Sequence, residues 1–166
     1  RDQNDMKFIL ADAANGDFTE VYRETRPTWV DFFEDIHVMN DGSGFIVRSY
    51  RNDWYNLYYY GWDGKLITQV TDFDWKVTGI VKVDEARREI YFTGTGPDPL
   101  ASHMYRVRLD GTRLIQITSG EGTHLASVSP GGSWFADTWS SLGSPGGISL
   151  IDRKGKLVRN IHTEEA

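Results

Sequence analysis

Residues 74–119, DWKVTGIVKVDEARREIYFTGTGPDPLASHMYRVRLDGTRLIQITS, contain four short runs with strand character: WKVTGIVKV, EIYFTGT, HMYRVRL and RLIQIT. Apolar residues alternate with polar ones at period two, and Gly and Asp punctuate the runs. This pattern is typical of half-buried antiparallel strands. The Asp110-Gly111 pair favours a tight turn, because Gly adopts a positive φ without a steric penalty. The stretch therefore predicts one four-stranded sheet, which needs neighbouring sheets to cover it.

The same pattern recurs on both sides of this stretch. Trp29 precedes Trp75 by 46 positions, and the turn glycines Gly64, Gly111 and Gly155 follow one another at intervals of 47 and 44 residues. A period of roughly 40–50 residues with four strands per unit is typical of β-propeller blades. An all-β sandwich with a recurring strand spacing is the alternative. We favour the propeller because three separate landmarks recur in phase.

The repeat predicts an all-β chain that forms a partial β-propeller of about three four-stranded antiparallel blades plus half a blade. We place the half blade at 1–26 and the blades at 27–72, 73–120 and 121–163. Because so few blades cannot close a ring, we expect the chain to be a fragment of one larger propeller domain. Residues 140–147, rich in Ser, Gly and Pro, are predicted to form a loop. No segment has the pattern of an amphipathic helix.

Composition excludes several classes of function. The net charge of −6 argues against a nucleic-acid partner, and no apolar run is long enough to predict a membrane segment. The absence of cysteine excludes disulfides, thiol catalysis and cysteine zinc sites. The four histidines are too dispersed for a metal-ligand spacing, and no nucleotide or metal motif occurs. The sequence therefore predicts no metal and no cofactor.

Catalytic serine chemistry also lacks its motif. The nearest match to the G-x-S-x-G nucleophile elbow is at residues 131–135, GGSWF, which lacks the second glycine. Ser133 is better interpreted as a turn residue. An open arc of blades exposes apolar, strand-rich faces at its two ends, so we also predict self-association.

One segment interrupts the regular alternation. Residues 29–36 read WVDFFEDI, with consecutive aromatic residues flanked by acids. The structural interpretation is a bulged inner strand or the turn that leads into it. The functional interpretation is a loop that presents Phe32 or Phe33, with Glu34 beside them, to a ligand. Aromatic rings supply contact area, and a carboxylate can pair with a positively charged group.

Four segments together carry a family resemblance: TDFDWKVTGI, IYFTGTG, PLASHMYRVRLDG and ITSGEGTHLASVSPGGSWFADTWSS. In their order and spacing they resemble the propeller region of dipeptidyl peptidase IV and its bacterial relatives, within the prolyl oligopeptidase family of serine peptidases. The resemblance implies a propeller of about eight blades and an α/β-hydrolase domain after residue 166. It also implies removal of N-terminal Xaa-Pro or Xaa-Ala dipeptides, and a periplasmic or cell-envelope location.

The resemblance assigns the catalytic Ser, Asp and His to the hydrolase domain. It implies that this chain has no catalytic residue, is inactive by itself and serves as an accessory, gating segment. Its partners would be the hydrolase domain of the same parent chain and the peptide substrate. Phe33 falls at a position where the family presents an aromatic residue to the substrate, with Phe32 beside it. Glu34 stands where the family often has a basic residue.

Two other functions stay open at the level of sequence. The first is a non-enzymatic TolB-like or WD-like propeller scaffold that binds a protein or a ligand. The second is a propeller glycosidase or lyase, which would need acids that converge on the central channel. Asp31, Glu34 and Asp35 are the clustered candidates for that chemistry.

Overall fold

The computed structural model describes residues 3–31 and 35–163, which fold into one hairpin and three four-stranded sheets. The end hairpin consists of β1 (Asp5–Ala11) and β2 (Phe18–Thr25). The first blade consists of β3 (Ile36–Val38), β4 (Phe45–Ser49), β5 (Asn56–Tyr60) and β6 (Leu66–Gln69). The second consists of β7 (Val77–Asp84), β8 (Glu89–Gly94), β9 (His103–Arg108) and β10 (Ile115–Gln116). The third consists of β11 (Thr123–Val128), β12 (Trp134–Ser141), β13 (Ser144–Asp152) and β14 (Leu157–Thr163).

Within every sheet the strands are antiparallel and stand in sequence order. The sheets form an open arc of propeller blades rather than a closed barrel, which confirms the predicted all-β fold. Residues 3–31 and 35–163 contain no helical segment. These described residues therefore include no helix that is long and apolar enough to cross a membrane.

Three apolar clusters hold the sheets together, one at each junction. The end hairpin packs on the first blade through the first cluster: Val21, Tyr22, Phe45, Val47, Tyr58 and Tyr60. The first and second blades share the second cluster, which includes Ile46, Leu57, Tyr59, Ile90, Phe92, Tyr105 and Val107. The second and third blades share the third cluster: Tyr91, Met104, Ile117, Ala126, Phe135 and Ile151. Successive sheets therefore stack face to face.

The central strands of the first two blades are buried on both faces. In β5, Tyr58 and Tyr60 contact the hairpin side, whereas Leu57 and Tyr59 contact the second blade. The alternation predicted half-buried strands, and this expectation is wrong for β4, β5, β8 and β9. The physical reason is that a sheet inside the stack has a neighbour on each side, so both sets of alternating side chains leave water.

The segment 140–147 is a tight hairpin and not the predicted loop. Strand β12 continues to Ser141 and β13 starts at Ser144, so a two-residue connection joins them. The register shifts between Trp139 and Ser141, which indicates a bulge. Gly146 has a φ of +107°, and a Cβ atom there would lie 2.0 Å from the carbonyl oxygen of Trp139. The glycine therefore serves a close backbone approach inside the ladder.

Each turn glycine of the repeat contacts the preceding sheet. A Cβ atom on Gly64 would lie 3.2 Å from the carbonyl oxygen of Val21. A Cβ atom on Gly111 would lie 3.2 Å from the carbonyl oxygen of Val70. For Gly155 the neighbour is the carbonyl oxygen of Ile117, at 2.8 Å. All three glycines have a positive φ. In every blade, the turn between the third and fourth strands thus contacts the last strand of the preceding sheet or the residues that directly follow it.

A polar contact also joins the second and third blades. The rings of His103 and His124 stack with their centroids 4.8 Å apart. His124 Nδ1 lies 2.8 Å from Asp137 Oδ2, and His103 Nδ1 lies 3.2 Å from Thr118 Oγ1. Burial, and secondarily the neighbouring His124, lower the pKa of His103, against smaller opposing effects of Asp137 and Asp98. The histidines are dispersed in sequence, yet two of them meet in space.

We predict that Gly111→Ala lowers the free energy of unfolding by about 1–2 kcal/mol, because a side chain is disfavoured at a φ of +79° and would press on the carbonyl oxygen of Val70. Urea unfolding measures the change. Gly131→Ala is the matched control, since a Cβ there has no neighbour within 4 Å. Equal stability of the two variants would contradict the assigned contact.

We predict that protonation of His103 destabilises the fold. Its pKa in the folded chain is below the ordinary 6.5, so its stabilising contribution is present above pH 6.5 and is lost as pH falls through the lowered value. Unfolding free energies measured from about pH 7.5 to about pH 5 should fall less steeply for His103→Gln than for the wild type. Identical slopes for the two proteins would exclude this role of His103.

Candidate functional site

The sequence places the candidate ligand contacts at Phe32, Phe33 and Glu34, which lie outside the described residues. The residues that bracket them, Asp31 and Asp35, are described, and so is the Trp29-Val30 pair that precedes them. Asp31 and Asp35 lie between the end of β2 and the start of β3, in the connection between the hairpin and the first blade.

A cavity of about 240 Å³ opens beside this connection. We call it the connection cleft. Its walls come from three places: the end of β2, the residues after it, and the loop between β4 and β5. The lining residues are Glu24, Arg26, Trp29, Val30, Asp31, Tyr50 and Tyr55. The strand order brings these segments to one edge of the first blade, because β3 starts at the edge where β4 ends and β5 begins.

Two aromatic rings and the guanidinium of Arg26 form one wall of the cleft, and a second guanidinium covers one of these rings. The rings of Tyr50 and Tyr55 lie 5.1 Å apart. The guanidinium of Arg26 lies 4.3 Å from the centroid of Tyr50, and that of Arg48 lies 4.6 Å from the centroid of Tyr55. Each cation thus covers the face of one ring, an arrangement that orders both partners. Trp29 is 57% exposed and offers a free apolar surface at the rim.

The two carboxylates next to the connection have different partners. Asp31 accepts a hydrogen bond from the hydroxyl of Tyr55, and Asp35 binds Arg48 with an Nε–Oδ2 distance of 2.7 Å. Burial, followed by the bond to Asp31, raises the pKa of Tyr55 to about 12. The phenol therefore stays protonated at neutral pH and keeps donating to Asp31. The two acids are held as fixed acceptors at the ends of the connection.

Glu24 forms the buried floor of the cleft and is 6% exposed. Its Oε2 atom accepts hydrogen bonds from the hydroxyls of Tyr22 and Ser49, both at 2.7 Å, and Arg26 lies 4.0 Å from its other oxygen. Burial raises the pKa of Tyr22 well above its usual range. Two hydroxyl donors and a nearby guanidinium thus hold the Glu24 side chain in place at the base of the cleft.

Glu24, Tyr50 and Tyr55 were not predicted from the sequence, and Asp31 had no predicted partner. Glu24 stands in a strand that reads FTEVYRET, where an acid is usually solvent-exposed. The segment RSYRNDWY contains both tyrosines, and its mixture of aromatic and charged residues could have indicated a binding surface. Of the glycosidase candidates, Asp31 and Asp35 pair with Tyr55 and Arg48 respectively. The described residues also contain no group of three or more acids or histidines that could hold a metal ion.

A second cavity, of about 470 Å³, lies between the second and third blades. Its walls include Glu121, His124, Asp137, Trp139 and Asn160. His124 Nε2 and Asp137 Oδ1 are buried there without a hydrogen-bond partner among the described residues. These two atoms are enclosed by protein, so they belong to the polar contact between the blades.

Comparisons with known proteins agree on one family. Residues 1–146 match the family model for the Dipeptidyl peptidase IV (DPP IV) N-terminal region. Dipeptidyl peptidase 4 of Trichophyton equinum is 26% identical over 138 residues, which cover 79% of this chain and 18% of that protein. Dipeptidyl peptidase 4 of Arthroderma otae is 26% identical over 156 residues, which cover 89% of this chain and 20% of that protein.

A solved structure shows the same fold. The crystal structure of Porphyromonas gingivalis dipeptidyl peptidase 4 matches 99% of this chain with a TM-score of 0.86 and 23% identity. The match covers 23% of that protein, so the chain spans only about a fifth of the length of the relatives it resembles. Since the family model matches most of the sequence, we conclude that this chain belongs to the family of the dipeptidyl peptidase IV N-terminal region.

Proposed function

We propose that this chain is an accessory propeller segment of a serine-type dipeptidyl peptidase that removes N-terminal dipeptides from peptides. The catalytic Ser, His and Asp would belong to an α/β-hydrolase domain that follows in the parent protein and carries out acyl transfer. The observation that supports the proposal is the family match over residues 1–146, together with relatives named dipeptidyl peptidase 4. The segment would gate access to the catalytic chamber and shape the substrate site.

The connection cleft is the part of the segment that we assign to substrate contact. Trp29 is exposed at its rim, and Asp31 and Asp35 fix the two ends of the connection that carries Phe32, Phe33 and Glu34. Phe33 would pack against an extended substrate, because an aromatic ring supplies a large contact area at a low entropic cost. Glu34 would favour a positively charged substrate side chain where a basic residue would favour an acidic one.

We predict that the 166-residue chain alone hydrolyses no Gly-Pro p-nitroanilide, because the proposal assigns the catalytic Ser, His and Asp to the hydrolase domain. In the parent protein, Phe33→Ala should reduce kcat/KM about tenfold for a hexapeptide with Pro at its second position, which corresponds to the loss of one aromatic contact. The same variant should act almost normally on Gly-Pro p-nitroanilide, which is too short to reach the contact.

Phe18→Ala in the parent is the matched control. Phe18 is an exposed phenylalanine, 71% accessible, and lies on the end hairpin rather than at the cleft. Turnover by the isolated chain would refute the accessory role. Equal effects of Phe33→Ala and Phe18→Ala would refute substrate contact at Phe33. A parent that hydrolyses neither substrate would instead favour the binding scaffold.

We also propose that the isolated chain self-associates through the outer face of the third blade. This face presents Leu125, 64% exposed, and Trp134, 47% exposed, on the side opposite to the buried His124 and Phe135. No described sheet covers it. Apolar side chains on an uncovered sheet face favour contact with a second copy.

Sedimentation velocity at increasing concentration measures this association. The wild type should shift to larger species, whereas Leu125→Ser/Trp134→Ser should remain a monomer. Tyr50→Ser/Trp54→Ser removes exposed aromatic groups from a different edge and should associate like the wild type. A wild-type chain that stays monomeric at high concentration would contradict the proposal.

A further inference from the structure

An open basic cavity of about 440 Å³ lies where the second and third blades meet. Six cationic side chains and one acidic side chain line it: Arg87, Glu89, Arg106, Arg108, Arg113, Arg153 and Lys154. We call it the arginine cavity. The whole chain has 18 Lys and Arg residues against 24 Asp and Glu, so a third of its cations gather at one place in a negatively charged protein. Such local concentration needs a physical explanation.

The fold explains how these residues meet. Arg87 lies in the turn between β7 and β8, and Arg113 lies in the turn between β9 and β10. In an antiparallel sheet these two turns share one end. Arg153 and Lys154 come from the corresponding turn of the third blade, which packs against β10 through Gly155. The cavity is therefore built where two blades bring their turns together, on the end of the sheets opposite to the loop between strands two and three.

The inner part of the cavity is a triad of two buried residues, Glu89 and Arg106, and the partly buried Arg153, with an excess positive charge. Glu89 is 8% exposed and binds Arg153, and Arg106 Nε lies 3.8 Å from its Oε1 atom. Arg106 is 9% exposed and donates from Nη1 to the carbonyl oxygen of Arg153 at 3.3 Å. One carboxylate thus serves two guanidinium groups. A cation that is removed from water without a full countercharge raises the affinity of its surroundings for an anion.

The outer part adds cations that are only partly compensated by acids of the same two blades. Arg87 pairs with Asp84 at 2.8 Å, but Arg108, Arg113 and Lys154 form no ion pair with any residue that the structure describes. The Nε atoms of Arg108 and Arg153 are buried and lack a hydrogen-bond acceptor within the same residues. Two nearby acids interact electrostatically with these cations without forming an ion pair, Asp110 with Arg108 and Asp152 with Lys154. Asp110 also accepts hydrogen bonds from Thr112.

We propose that the arginine cavity binds an anion that carries two or more negative charges on phosphate or sulfate groups. Planar guanidinium groups donate in a fork that matches such oxyanions. The six cations of the cavity outnumber the acids that interact with them, so a multivalent group fits better than an acidic side chain. The volume accommodates more than one such group, as in a diphosphate or a sulfated sugar.

Isothermal titration calorimetry of the 166-residue chain tests the proposal with two ligands, inorganic pyrophosphate and a heparin hexasaccharide, in about 0.1 M NaCl. Binding of pyrophosphate identifies a small free anion as the ligand. Binding of the hexasaccharide alone identifies an extended sulfated chain that uses the same chemistry. Absence of binding by both ligands overturns the proposal.

The site variant is Arg113→Gln/Lys154→Gln, which removes two exposed cations from different blades without breaking an ion pair among the described residues. The control is Lys65→Gln/Arg159→Gln, which removes the same charge from exposed positions outside the cavity. The site variant should bind at least about tenfold more weakly, whereas the control should stay within about twofold of the wild type. Equal weakening in the two variants would show a diffuse charge effect and overturn the assigned site.

Discussion

The structure depends on the burial of both faces of the first and second blades. A four-stranded sheet with apolar side chains on both faces is unstable by itself in water, because these side chains would stay exposed to solvent. The first blade meets this need with the tyrosines of β5, which alternate between the hairpin and the second blade. The second blade does the same through Tyr91 on one side and Phe92 on the other. Stacking is thus a condition of folding.

The sequence predicted most of this architecture, because the relevant signals are local or periodic. Turn glycines at a regular spacing and runs of β-branched and aromatic residues determined the number, order and type of the strands. Burial on both faces was missed, since a run such as NLYYY describes one strand and says nothing about the sheets beside it. The segment 140–147 was misassigned because Gly and Pro are common both in loops and in bulged hairpins, and only the register distinguishes the two.

The candidate site was less predictable, for a physical reason. The segment WVDFFEDI stands out by composition, but the groups that frame it come from distant positions. Glu24 on β2 and Tyr55 before β5 reach the connection cleft only after the hairpin has packed on the first blade. The arginine cavity has the same origin, since Arg113 and Lys154 are about 40 residues apart. Contacts between repeats depend on stacking geometry, which no local pattern encodes.

Each turn glycine lies against a backbone carbonyl of the previous sheet, and the contact is possible because glycine has no side chain. It therefore demands little of the surrounding sequence. The residue before the glycine is Asp at two of the turns and Lys at the third, and the geometry is the same. Because this contact involves backbone atoms, the sequences of the repeated sheets can differ while the packing between neighbouring sheets stays the same. The junction between the hairpin and the first blade has a cleft of tyrosines and acids, whereas the junction between the second and third blades has a basic cavity. Both junctions use the same contact between a turn glycine and a backbone carbonyl.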